Sequence, residues 1–381
     1  MTSPTRSDSA PTPVSVRDVL RADPVGRLLV TKGRQHYLLV AFAALALLVA
    51  LLIVLPIRFF HGPEPGAGAP RPAEFFATLN GSMMIMSWLV FVPVVWGFYA
   101  WQPGAIVRVY TRLNECLESG GARPAPIRPS PWHDSPIWAL LAGILAVWEF
   151  ARFMRPEHEF TNAGPWIFQS TTALRAAFVA LASITYYMTA MLVVRQLITT
   201  IDVNRVFSRE SVPVRFLHPD EAGGLRFLGE HAVGIAPLIV AAGLNLSLVY
   251  VRIIQGGPLG SDTAIYTLPL VTAVYLVGSV VCFTAPLWCA HKEMLATRDR
   301  WLDDVSRGFE VQQLAVQEEM RRGDPNAVSV AKLETARKAW DIGRTFPTWP
   351  LNVGNGRKFV AALLAPVVPI GLAALRELLG V

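Results

Sequence analysis

Apolar and polar residues alternate in long blocks along the chain. Six apolar stretches are separated by polar loops, and most approach the roughly 20 residues that an α-helix needs to cross the hydrocarbon layer of a membrane. A core helix of a water-soluble protein rarely stays uncharged over such a length. The pattern therefore predicts an all-α polytopic membrane protein with a transmembrane domain over 37–289. Its six predicted spans are 37–57, 83–101, 137–150, 173–194, 232–251 and 265–288.

A further apolar stretch, 359–375, lies in the C-terminal apolar segment 347–381. Pro366 and Pro369 interrupt it. Lipid cannot replace the backbone hydrogen bonds that a proline removes. This favours an interfacial or re-entrant helix over a seventh span, and both interpretations stay open.

The positive charges concentrate in alternate loops. The tail before the first span and the loops 102–136, 195–231 and 289–358 contain most of the 34 Lys and Arg, whereas the intervening loops contain few. Loops rich in Lys and Arg stay on the cytoplasmic side. The sequence thus predicts a cytoplasmic N-terminus. Arg, Ala, Gly and Pro are abundant and Lys is scarce, which is typical of a GC-rich bacterial genome, so the expected location is a bacterial inner membrane.

The composition agrees with a membrane protein. Only 16% of the residues are charged and 52% are hydrophobic, compared with about 25% charged residues in soluble domains. The net charge of +6 follows from cytoplasmic basic loops, and the basic residues are dispersed among carboxylates, so no nucleic-acid partner is expected. Cys116, Cys282 and Cys289 all avoid the predicted outer loops, so no disulfide framework is predicted.

Two segments are predicted to lie in the cytoplasm. The tail 1–36 is polar and contains four prolines, which predicts a disordered segment. The block 290–346 predicts a helical hairpin whose turn is 323–326. Its first helix has no breaker before it, so it is expected to continue the sixth span. Its apolar stripe consists of Leu302, Val305, Phe309, Val316 and Met320.

The stripe of the hairpin has two interpretations. The two helices bury their apolar faces on each other, or these faces also meet other copies in a homo-oligomer. A cytoplasmic protein partner that binds through 290–346 is a further expectation.

The most distinctive local string is 217–231, which leads into the fifth span. Asp220 is suited to cap a helix, and the neighbouring glycines allow close backbone approach. The favoured interpretation is a capped, tightly packed helix entry. The alternative is a regulatory ion or ligand loop made of His218, Asp220, Glu221, Gly223, Gly224 and His231. The two histidines match no standard metal spacing.

This string resembles a group of poorly characterised bacterial integral membrane proteins. These carry a His-Pro-Asp-x-Ala-Gly-Gly-Leu segment before a span, here His218 to Leu225, and the Trp349-Pro350 pair is also similar. The resemblance covers about 25 residues. It implies a shared membrane fold and carries no activity, cofactor or site residue.

Polar residues within the spans are few and mild. Arg175 and Arg195 lie at opposite ends of the fourth span, where their side chains are expected to reach out to water. The absence of a carboxylate or histidine near the middle of a span disfavours ion-coupled transport. Uncharged residues of the fifth and sixth spans are expected to pack between helices or line a pore. They are Asn245, Ser247, Thr272, Tyr275 and Ser279.

No catalytic, cofactor or metal motif is present in the sequence. The first hypothesis for function is therefore a homo-oligomeric channel or passive transport protein. The second is a membrane scaffold or sensor subunit that signals to a cytoplasmic partner. An enzyme acting on lipids ranks third, because only the loop 217–231 offers clustered acids and histidines.

Overall fold

A computed structural model gives the fold. It describes residues 14–31, 36–54, 79–119, 126–154, 172–210, 212–216, 218–254, 262–322, 327–351 and 353–365. After residue 365 it describes only residues 367, 368, 370, 371 and 375. Every regular element among these residues is a helix, so the predicted all-α class is confirmed. The longer helices are α3 (Tyr37–Val49), α4 (Leu79–Ser119), α5 (Pro136–Met154), α6 (Thr172–Arg209), α7 (Arg226–Gly234), α8 (Ala236–Ile254), α9 (Asp262–Arg322), α10 (Ala327–Thr345) and α11 (Val353–Leu364).

Among the described residues, four helices are long and apolar enough to cross a membrane. They lie within α4, α6, the joined α7 and α8, and α9. At the first and third predicted spans the described residues form shorter apolar helices, Tyr37–Val49 and Pro136–Ala151. A π-helical turn, Ala50–Val54, lengthens the first of these.

Helix α4 lies at the centre of the bundle. It packs against α3, α6 and α8, and Val92, Val95, Tyr99 and Ile106 along its length are buried. Helices around it present large apolar side chains outwards, as lipid-facing helices do. Examples are Leu140, Ile144 and Val147 on α5, Val193, Leu197 and Ile201 on α6, and Leu270, Val274 and Val277 on α9.

Helices α4 and α6 end on the same side of the bundle. Arg215, which follows α6, donates a hydrogen bond of 2.5 Å to the carbonyl oxygen of Ser119 at the end of α4. Near the end of α6, Asp202 accepts a 3.0 Å hydrogen bond from the amide of Ser130 in the segment after α4. The two helices therefore run in the same direction, with α5 between them in the chain.

The predicted disorder of the tail 1–36 is wrong for residues 14–31. These residues form α1 (Val16–Leu20), α2 (Pro24–Gly26) and a π-helical turn, Arg27–Thr31. Val19, Leu20 and Asp23 are buried, and α1 packs against α4. Burial of these side chains against the bundle offsets the conformational entropy lost when the segment becomes ordered, which a polar segment on its own does not offset. Residues 1–13 and 32–35 lie outside the described residues.

The predicted hairpin forms from α9 and α10, which pack on each other. One helix of 61 residues covers the described part of the sixth predicted span and the first helix of the hairpin. A Cβ atom added at Gly343 of α10 would lie 2.7 Å from Trp301 and 2.8 Å from Leu302, so a glycine permits this close packing. The turn 323–326 lies outside the described residues.

The C-terminal helix α11 packs on α8. The ring of Phe359 stacks on Phe283 with 3.4 Å between ring centroids. Most residues after 365 lie outside the described residues, so whether 359–375 crosses the membrane stays a prediction.

Candidate functional site

A buried ion pair joins the N-terminal segment to the bundle. Arg195 of α6 donates from Nη2 to Asp23 Oδ2, and both side chains are only 2% exposed. The sequence predicts that Arg195 extends to water from the end of its span, and this prediction is wrong. The carboxylate that follows α1 pairs with Arg195 inside the protein, so the guanidinium does not need to reach solvent.

Two tyrosines complete what we call the Arg195 cluster: Asp23, Tyr99, Tyr187 and Arg195. The hydroxyl of Tyr187 donates to Asp23 Oδ1 at 2.8 Å, and that of Tyr99 donates to Asp23 Oδ2. The Arg195 guanidinium lies over the Tyr99 ring, 4.8 Å from its centroid, which adds a cation–π contact. The carboxylate thus receives three donors from the two helices α4 and α6.

The same carboxylate caps its own short helix. Asp23 Oδ1 accepts hydrogen bonds from the amides of Val25 at 3.1 Å and Gly26 at 3.0 Å. A Cβ atom added at Gly26 would lie 2.7 Å from Asp23 Oδ2 and 3.1 Å from Arg195 Nη2. The cluster therefore requires a residue without a side chain at position 26.

A second buried cluster lies further along α6. The Tyr110 hydroxyl donates to Asp202 Oδ2 at 2.6 Å, and His133 Nε2 lies 3.7 Å from the same oxygen. Burial, with a smaller effect of the positive charge on Arg195, lowers the pKa of His133 to about 4. His133 is therefore neutral at physiological pH.

Further polar side chains lie between the helices. Gln102 Nε2 of α4 donates to the carbonyl oxygen of Leu192 at 2.8 Å. Gln196 Oε1 of α6 lies 3.2 Å from His231 Nε2 of α7, and the His231 ring stacks on Trp101. Several buried side-chain atoms have no hydrogen-bond partner among the described residues, including Gln102 Oε1, Gln196 Nε2, Thr200 Oγ1 and His231 Nδ1.

The predicted loop 217–231 divides into two parts. His218 and Asp220 are close, with 2.7 Å between Nδ1 and Oδ1. Glu221, Gly223 and Gly224 adopt positive φ angles. His231 is separate, because it lies buried in α7 beside Gln196. The structure therefore does not bring all six candidate residues together.

Asp220 organises the turn around itself. Its carboxylate accepts hydrogen bonds from the amides of Ala222, Gly224 and Arg226 at 2.9–3.2 Å. Burial raises its pKa, but these amides and the His218 ring outweigh burial, so the net pKa is lowered. This geometry is that of the capped helix entry, and Leu217 lies outside the described residues.

The polar residues predicted to pack or line a pore mostly bond within the chain. Tyr275 donates to the carbonyl oxygen of Ile239 at 3.1 Å, and the hydroxyls of Tyr250 and Thr272 lie 2.6 Å apart. Ser247 donates to the carbonyl oxygen of Leu244. Ser279 is buried on α9 and Asn245 is half-buried on α8. The contacts of Tyr250 and Tyr275 hold α8 against α9.

Sequence reasoning missed the Arg195 cluster. The local signal at Asp23 is an aspartate before Pro24, which is typical of a helix start and not of an internal ion pair. Nothing in the sequence links this position to Arg195, which is 172 residues away. A possible signal was Arg195 itself, a charge directly after an apolar span.

Chemically, the clusters can hold an anion or fix helices, and they form no metal centre. Among the described residues no group of three His, Cys, Asp or Glu side chains has the geometry to hold a metal ion. Comparison with protein-family models, curated proteins and solved structures finds no match to this chain.

Proposed function

We propose that the chain is a membrane scaffold or sensor subunit whose helical bundle crosses the membrane and whose hairpin binds a cytoplasmic protein partner. The observation that carries this proposal is the continuity of α9. One helix, roughly 90 Å long at 1.5 Å per residue, extends from the apolar bundle to the tip of the hairpin.

The outer part of the hairpin has apolar side chains without cover. Val311 and Leu314 neighbour each other on one side of α9, and each is 67% exposed. If this part of the helix lies outside the membrane, exposure of two neighbouring apolar side chains to water is unfavourable, and binding of a partner would remove that cost. The pair is therefore a candidate binding face. The predicted stripe residue Val316 is buried, whereas Met320 is exposed.

The base of the hairpin packs against the segment that follows α6. Phe216, which precedes the capped turn, packs between the rings of Trp301 and Phe346 at 4.8 and 4.4 Å between centroids. Trp301 Nε1 also donates to the carbonyl oxygen of Ala339 at 3.2 Å. A rigid base supports transmission of a shift in the bundle to the hairpin, as a sensor subunit requires.

The direction of the helices supports six crossings. Because α4 and α6 end on one side, the chain between them has to return to the other side. Helix α5 has 19 residues, about 28 Å at 1.5 Å per residue, which is close to the thickness of the hydrocarbon layer. Helix α3 and its π-helical turn have a comparable length. The distribution of Lys and Arg favours a cytoplasmic location for both the N-terminus and the hairpin.

Site-specific photo-crosslinking tests the scaffold function. A photoreactive residue at Leu314 is expected to capture a protein in cells, whereas one at the exposed Gln313 on a different side of the helix is not. Leu314→Glu is expected to reduce co-purification of the captured protein, and Gln313→Glu to leave it unchanged. Capture of a second copy alone would identify homo-oligomerisation, and equal capture at both positions would contradict a specific face.

A passive channel is the second candidate. It rests on buried polar atoms of Gln102, Gln196, Thr200 and His231 that have no hydrogen-bond partner in the described part of the chain, because polar side chains inside a bundle are able to line a path for a solute. Flux of small ions into liposomes that contain the protein tests it. Gln196→Leu is expected to abolish such a flux and Gln313→Leu to leave it intact. Absence of flux in the wild-type protein would reject this function.

A further inference from the structure

The Arg195 side chain has donors that the ion pair does not use. Its Nε and Nη1 atoms are buried and have no hydrogen-bond partner among the described residues, while Nη2 bonds to Asp23. A guanidinium presents its N–H groups as a fork that matches the two oxygens of a carboxylate. The arginine therefore has capacity to bind an anion more fully than it binds Asp23.

Three donors of the bundle converge on one position. The hydroxyls of Tyr99 and Tyr187 and the guanidinium of Arg195 all reach the carboxylate of Asp23. All three side chains belong to α4 and α6, whereas the carboxylate belongs to the segment 14–31. The bundle thus supplies all three of these donors to a carboxylate that belongs to another segment.

Apolar and polar contacts together hold the N-terminal segment in place. Val19 and Leu20 are buried, and Val14, Val25 and Leu29 pack against the core of the bundle. The Asp23 carboxylate adds the hydrogen bonds and the ion pair to these apolar contacts. A competing carboxylate at the same donors would then weaken docking.

The Arg195 cluster lies near the ends of the predicted spans. Arg195 directly follows the predicted fourth span, and Tyr99 is close to the end of the predicted second span. Helix α3 begins beside this level, because a Cβ atom added at Gly97 would lie 3.5 Å from the carbonyl oxygen of Tyr37. The cluster is thus at the edge of the apolar band and not at its middle.

We propose that Arg195, Tyr99 and Tyr187 form a binding site for a small soluble carboxylate, and that Asp23 is an internal ligand which such a carboxylate replaces. Binding of the carboxylate releases the segment 14–31 from the bundle. This inference does not depend on the proposed partner of the hairpin.

The test measures thermal unfolding of the full-length protein in detergent, with sodium acetate compared with sodium chloride at equal ionic strength and pH. In Asp23→Ala the receptor has lost its internal ligand, so acetate is expected to raise the Tm by several degrees. The added change Arg195→Gln is expected to abolish this shift. Asp341→Ala, which removes an exposed carboxylate on α10, is the matched control, and its Tm is expected to respond to acetate as that of the wild-type protein does.

Gly26→Ala provides a second variant in case Asp23→Ala does not fold. It retains every receptor residue and displaces Asp23 by the contact described above, so acetate is expected to raise its Tm as well. The proposal is also tested on the wild-type protein itself. Acetate is expected to increase the amide hydrogen exchange of residues 14–31, and chloride is not. An equal response to chloride, a shift that survives Arg195→Gln, or unchanged exchange in the wild-type protein would each overturn the proposal.

Discussion

The hydroxyl of Tyr187 donates to a buried carboxylate, whereas that of Tyr250 meets the neutral hydroxyl of Thr272. Hydrogen bonds to charged groups contribute about 1.5–3 kcal/mol and neutral ones about 0.5–1.5 kcal/mol. Tyr187→Phe is therefore expected to lower the free energy of unfolding more than Tyr250→Phe. Denaturation of the two variants in the same detergent measures the difference, and equal losses would contradict a stronger hydrogen bond at Tyr187.

His133 makes stability depend on pH. Its pKa falls to about 4 because of burial, with a smaller contribution from Arg195, compared with about 6.5 in an unfolded chain. The unfolded state therefore binds more protons between these values, and stability is lost as the pH falls from about 6.5 towards 4. The loss from this group is on the order of 3 kcal/mol at most.

Thermal unfolding at pH 7.5 and pH 5 measures this dependence. His133→Gln removes the titrating group, so the Tm of the variant is expected to fall less between the two pH values than that of the wild-type protein. An identical fall in both proteins would assign the acid sensitivity to other residues.

At the scale of single residues, the sequence predicted the structural role of Asp220 but not that of Asp23. The contacts of Asp220 lie within six residues of it, so local chemistry is sufficient to foresee a capped turn. Asp23 has comparable local chemistry, with bonds to Val25 and Gly26, but its partners Tyr99 and Arg195 come from distant helices. Only the packing of the bundle brings these groups together.

Glycine controls the distance between α9 and α10. Gly343→Ala would place a methyl group within 3 Å of Trp301 and Leu302, and Trp301 is itself held by Ala339 and Phe216. The variant is expected to separate the two helices and to make α10 more sensitive to limited proteolysis.

Gly308→Ala is the matched control on α9. A Cβ atom there would meet nothing within 4 Å, and alanine stabilises an exposed helix by about 1 kcal/mol relative to glycine. This variant is expected to be as resistant as the wild-type protein or more so. Similar protease sensitivity of both variants would contradict the close packing at Gly343.

At the scale of elements, apolar stretches and helical spacing predicted the helices well, because a long apolar run has few other ways to satisfy its backbone in lipid. Helix α9 continues through Pro269 and Pro286, as membrane helices allow. The tail was mispredicted because α1 and α2 have five and three residues. Helices this short are not stable alone, and tertiary contacts decide them.

At the scale of the whole molecule, the number of crossings distinguishes two arrangements. If only the four long apolar helices named above cross the membrane, the segment 126–134 and the hairpin lie on opposite sides of it. If α3 and α5 also cross, they lie on the same side. Contacts of this segment with the end of α6 favour the second arrangement.

Labelling with a membrane-impermeant thiol reagent separates these arrangements. In a background without Cys116, Cys282 and Cys289, single cysteines replace the exposed residues Arg128 and Glu310. Both are expected to react in inverted membrane vesicles and neither in intact cells, because the proposed six crossings and the predicted cytoplasmic location of the basic loops would put both residues in the cytoplasm. Reaction of Arg128→Cys in intact cells, with Glu310→Cys still protected, would show that α5 does not cross. The bundle would then need a different path between the ends of α4 and α6, and the parallel direction of these helices would be incorrect.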